Sequence, residues 1–171
     1  MAIQTHLDEI IDYKKIIINK IGLSKDVVAL LTDNPLIDMD SDAAYDVFDK
    51  NLYDYNYVDD TQTADTPLVM VDVEVPYVPT GTIKDLYVFV QVAVPKAQMK
   101  LDVTKFKGVK GNRKDNLLRQ IDLLLNNSQE FGIGKLKLES VNVASVPDKY
   151  TSTLLTYSIS DFVRNRKVGN Q

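Results

Sequence analysis

The sequence predicts an α+β fold, a mainly antiparallel sheet of about four strands in two hairpins, flanked by helices in the order ααββαββ. Three observations lead there. Residues 68–75 and 83–94 alternate with a period of two and are separated by Pro76, Pro79 and Gly81, which predicts a hairpin. Residues 8–21 and the stretch after Asn112 place apolar side chains at helical spacing. Sequential hairpins favour an antiparallel sheet, with the intervening helix crossing one face.

At the N-terminus, Thr5 with Asp8 has the form of a capping box, with Asp where Glu is usual. Leu7, Ile10, Ile11, Lys14, Ile17, Ile18 and Ile21 then trace a first helix that stops at Gly22. Ser24 caps a second, short helix carrying Val27, Val28, Leu30 and Leu31, which Asn34-Pro35 ends. The acidic segment 38–66 holds nine Asp and a single base, Lys50. It also holds Tyr45, Phe48, Tyr53, Tyr55 and Tyr57, so it packs on something and is not a free acidic tail. Within it, Asp40 or Ser41 is expected to cap a short helix over 42–50.

In the first long strand, Val69, Val71, Val73 and Val75 share one side, with Asp72 and Glu74 on the other. In the second, Leu86, Val88, Val90, Val92 and Val94 face one way, and Tyr87, Phe89 and Ala93 the other. Pro95 ends it. Residues 96–111 read as a long basic loop. A loop of that length inside a compact domain is usually functional or mobile. Asn112 with Asp115 opens a third helix bearing Leu117, Leu118, Ile121, Leu124 and Leu125, closed by Asn126-Asn127. Phe131-Gly132-Ile133-Gly134 turns into a strand over 135–143, Pro147-Asp148 turns the chain again, and 154–162 is the last strand. The core is expected to set Val88, Val90 and Val92 against Leu117, Leu118, Ile121 and Leu125. The chain reads as one α/β domain over 1–163 with a flexible, basic C-terminal tail at 164–171.

Charge is divided unevenly along this domain. Residues 1–95 carry 17 acidic and 6 basic side chains, a balance of −11; residues 96–171 carry 7 and 14, a balance of +7. Complementary fields of this kind select partner and register more than they add affinity. Absence of cysteine excludes disulfides, thiolate metal sites and a cysteine nucleophile. Neither a signal peptide nor a membrane span is expected, since no apolar run exceeds five residues. An overall pI near 5.0 argues against wholesale nucleic-acid binding.

Candidates for chemistry are few. Asp38, Asp40, Asp42, Asp46 and Asp49 fall at places 1, 3, 5, 9 and 12 of a calcium-binding helix-loop-helix loop. The sixth place needs Gly and is Ala43, and the twelfth, usually a bidentate Glu, is the shorter Asp49, so no metal site is expected. His6 is the sole histidine and reads as an ordinary helix residue. Gly132-x-Gly134 lies between a helix and a strand, the reverse of the dinucleotide-binding order. Asp72 and Glu74 share a strand face, as an acid/base pair would, but also as the polar face of an antiparallel sheet does. Residues 96–114 are basic enough to touch phosphates but lack aromatic interleaving beyond Phe106. No catalytic constellation and no cofactor motif emerges. The expectation is an assembly component rather than an enzyme, with Lys96, Lys100, Lys105, Lys107 and Lys110 at a subunit interface.

The third helix, Arg113-Lys-Asp-Asn-Leu-Leu-Arg-Gln-Ile-Asp-Leu-Leu-Leu-Asn126, followed by Phe131-Gly-Ile-Gly-Lys-Leu-Lys-Leu-Glu-Ser140 and the last strand, resembles the C-terminal half of tailed-phage neck proteins. The nearest type is the tail terminator, or tail completion, protein. Residues 8–31 and Tyr45-Asp-Val-Phe-Asp-Lys-Asn-Leu52 are similar as well, so the resemblance spans most of the chain through loose patterns with no catalytic residue. It implies a virion protein assembled in the host cytoplasm: a ring, typically a hexamer, that caps the tail tube and docks to a head-completion or connector protein. It also implies a long loop reaching between subunits, which 96–111 would suit, and a lumen through which DNA passes unbound, which an acidic wall would suit. A different non-enzymatic neck, virion or host-directed interaction protein, and a calcium-binding or otherwise enzymatic domain, are the alternatives.

Overall fold

A computed structural model describes residues 6–56, 65–77, 83–131 and 134–162. The α+β class holds. Two helices lead, α1 (His6–Gly22) and α2 (Lys25–Thr32), followed by two single-turn helices, α3 (Asp42–Tyr45) and α4 (Val47–Lys50). Then come β1 (Leu52–Tyr53), β2 (Leu68–Tyr77), β3 (Ile83–Pro95), a 3-10 turn at Lys96–Gln98, α5 (Arg113–Leu125), β4 (Lys137–Val143) and β5 (Tyr150–Phe162). The sheet order is β1-β2-β3-β5-β4.

Both expected hairpins form. β2 and β3 pair antiparallel, with Val69 opposite Val92 and Val71 opposite Val90. β4 and β5 do the same, interrupted by a register shift between Leu138 and Ser140. The hairpins join because β3 pairs with β5 along its whole length, from Ile83–Phe162 to Pro95–Tyr150. That pairing places α5 as the crossover. β1 is the unexpected fifth strand: two residues, parallel to β2, with Leu52 opposite Val69. The single helix expected over 42–50 is divided at Asp46 into α3 and α4. β5 starts four residues earlier than expected, at Tyr150, directly after the turn closed by Tyr150 N–H to Pro147 C=O at 2.9 Å. The tail 164–171, Thr5 of the capping box, Tyr57 and Gly132-Ile133 lie outside the described residues.

All the longer helices pack on one face of the sheet. The main core joins Ile17 and Ile21 of α1, Val27 to Leu31 of α2, and Leu117, Ile121 and Leu125 of α5 to the inward valines of β2 and β3 and to Leu155, Tyr157 and Ile159 of β5. Leu118, expected in the core, is only half-buried at its margin. Gly22 matters by close approach: a Cβ there would run into the Phe48 ring and Leu52. On the opposite face of the sheet, Leu68, Met70, Ala93 and Tyr150 form a smaller cluster.

Candidate functional site

The basic loop is built onto its own domain. Its backbone is pinned by Lys96 N–H to Lys149 C=O at 2.8 Å, Phe106 N–H to Asp102 C=O at 2.9 Å and Arg113 N–H to Met99 C=O at 2.8 Å. Leu101 and Phe106 drop into the main core, and Met99 and Val109 pack against it. Thr104 donates its hydroxyl and its N–H to the Asp102 carboxylate at 2.6 and 2.9 Å, which holds that carboxyl below its ordinary range. Gly108 and Gly111 take positive φ of 76° and 77°, a region open to glycine at little cost. Asn116 clasps the loop from α5, accepting from Lys110 N–H at 3.3 Å and donating to Lys110 C=O at 2.9 Å. With its apolar residues turned inward, the loop presents Lys96, Lys100, Lys105, Lys107 and Lys110, all exposed, on its outer side.

Arg113 anchors the loop's far end and was not singled out by the sequence. It is buried, at 4% exposure. Its Nε donates to Gln98 C=O at 2.8 Å, one terminal nitrogen to Leu30 C=O at 2.6 Å, and the other to the Asp33 carboxylate. One guanidinium thus satisfies a carbonyl at the open end of α2, pairs with that helix's left-handed cap residue, and holds the 3-10 turn. A signal existed: a basic residue in the first turn of a helix opposes the helix dipole, so its charge must be used elsewhere.

Beside the loop lies a groove of about 420 Å³ between the start of α2, the turn at Leu36, residues 105–109 and α5. Lys25, Lys105, Lys107 and Arg119 line it, against the single carboxylate of Asp26. Phe106 forms part of its wall, and Leu36 stands at 88% exposure. None of these four cations makes an ion pair with a described residue; the described pairs use Lys14, Lys20, Lys50 and Arg113. Lys96, Lys100 and Lys110 do not line this groove. Lys25, Arg119 and Leu36 come from outside the loop and escaped the sequence reading, because only the fold brings α2 and α5 to it.

The acidic surface lies on the neighbouring turn and the two short helices. Asp38, Asp40, Asp42, Asp46 and Asp49 are all exposed, with Tyr45 among them at 55% exposure. Asp38 accepts from Asp40 N–H at 3.1 Å, closing an Asx turn, and Asp46 pairs with Lys50 at 2.5 Å. Spread over a turn and two helices, these carboxylates do not converge. Among the described residues no group of three or more His, Asp or Glu side chains is placed to hold a metal. Asp72, half of the other carboxylate pair, is bridged to Lys14 of α1 at 2.6 Å. Inside the domain, the Tyr157 hydroxyl donates to Asp122 at 3.1 Å, and burial together with that carboxylate pushes its pKa well up.

Fold and surface together define a two-layer α+β domain with a cationic groove and a separate carboxylate-rich surface. The chain belongs to the YomW family, whose sequence model matches residues 24–159, and that family is phage-derived. No curated protein matches the chain. No helix among the described residues is long and apolar enough to cross a membrane.

Proposed function

We propose that this chain is a non-enzymatic structural protein of a phage particle, one copy of a neck ring that ends the tail tube and joins it to the head connector. Membership of a phage-derived family over residues 24–159 carries this reading. The two-signed surface supports it. A ring built head-to-tail needs two different, complementary patches on each copy, and this domain has a cationic loop and groove and a carboxylate-rich surface on different elements. In this reading the partners are further copies of the chain, in a hexamer, together with a tail tube protein and a head-completion or connector protein. Lys96, Lys100, Lys105, Lys107 and Lys110 face the adjacent copy, and DNA crosses the lumen without specific binding. The role calls for no cofactor and no catalytic residue, and places the protein in the virion neck after assembly in the host cytoplasm.

Deleting the gene from its source phage or prophage tests the role. Filled heads beside separate tails of abnormal length are expected. Normal joined virions would contradict it.

A further inference from the structure

We infer that the groove between α2, the Leu36 turn, the 105–109 turn and α5 is a receptor for the α3–α4 surface of a second copy of this chain. The inference rests on the ring reading and names its contact. Lys25, Lys105, Lys107 and Arg119 surround the groove and form no ion pair with a described carboxylate, although the charge of Lys105 is felt by the exposed Asp102. Four cations facing one Asp26 leave a concave positive site, where low-dielectric walls concentrate the field. Leu36, almost fully exposed, adds an apolar element beside those charges.

The counterpart is on the same chain. Asp40, Asp42 and Asp49 are exposed and make no described ion pair, and the exposed Tyr45 stands among them. An aromatic ring among carboxylates matches an apolar side chain among cations, and tyrosine is enriched in the centres of protein interfaces. A phosphate backbone would satisfy the lysines but leave Leu36 without a partner. A protein carboxylate surface is therefore favoured over nucleic acid. Because groove and surface differ, the contact is heterologous and propagates around a ring.

A charge exchange tests this. One variant carries Lys105→Glu, Lys107→Glu and Arg119→Glu; the other carries Asp40→Lys, Asp42→Lys and Asp49→Lys. All six positions are exposed, so circular dichroism and melting should match the native protein. Each variant alone should stay monomeric by native mass spectrometry at concentrations where the native protein assembles, its apparent dissociation constant raised at least about 100-fold. An equimolar mixture should assemble again, because each altered surface then meets an altered partner of opposite sign. Native-like assembly of both single variants would overturn the inference while leaving the ring intact. Variants that fail alone and also fail when mixed would overturn it too. Groove changes that abolish salt-sensitive DNA binding but not assembly would reassign the groove to phosphate. A native protein that never leaves the monomer would remove the ring reading and this contact together.

Discussion

At the scale of single residues, one buried cation and one buried hydroxyl carry more of the structure than their sequence positions suggest. Arg113 joins α2, the 3-10 turn and α5 through three acceptors. Replacing it with Met keeps the volume but leaves the Leu30 and Gln98 carbonyls unpaired. The expected cost is about 2–4 kcal/mol, read from denaturant midpoints. Lys in its place should recover only part, having one donor head where three directions are needed. Tyr157 behaves differently with pH. Burial and Asp122 bind its proton more tightly in the folded than in the unfolded chain. Its contribution is therefore fully present below the ordinary tyrosine value of 10.0 and is lost as pH rises above it. Tyr157→Phe should cost about 1 kcal/mol at neutral pH through the lost hydrogen bond. It should also make the fall in stability above pH 10 shallower than in the native protein; an unchanged alkaline slope would contradict this.

At the scale of elements, legibility followed local periodicity. β2, β3, α1, α2 and α5 were readable because their burial repeats at two or 3.6 residues, and the Asn112–Asp115 capping box is present with both reciprocal bonds. β1 was not readable: two residues in parallel pairing carry no period, and only the sheet edge beside Val69 makes them a strand. The 42–50 segment has the pattern of one helix; its division falls at Asp46, directly before the buried Val47, and local propensity does not report it. The loop 96–111 was legible in charge but not in conformation. Leu101 and Phe106, which follow no helical or strand period, are what hold it down. The five carboxylates of 38–49 matched ligand places in sequence, yet a turn and two helices spread them apart. Calcium at millimolar concentration should leave the melting temperature unchanged. A rise abolished by Asp40→Asn with Asp42→Asn would reinstate a metal site.

At the scale of the whole molecule, one helical layer on one face of a five-stranded sheet concentrates stability in a single apolar core, shared by α1, α2, α5 and the inward side chains of β2, β3 and β5. Ile121 is fully buried there, whereas Leu118 sits at the margin. Ile121→Asp buries an unpaired charge and should abolish folding, with loss of near-ultraviolet dichroism; Leu118→Asp should cost less and leave a folded, destabilised protein. The candidate groove was legible only in part for the same architectural reason: Lys105 and Lys107 are local in sequence, while Lys25, Leu36 and Arg119 reach them through the packing of α2 on α5. The central claim is that this fold exists to assemble. The most direct measurement is the native mass of the purified full chain across ionic strengths, with electron microscopy of the same sample. The account predicts a closed ring of six copies whose stability falls as salt screens the paired surfaces. A monomer at every salt and protein concentration would contradict it.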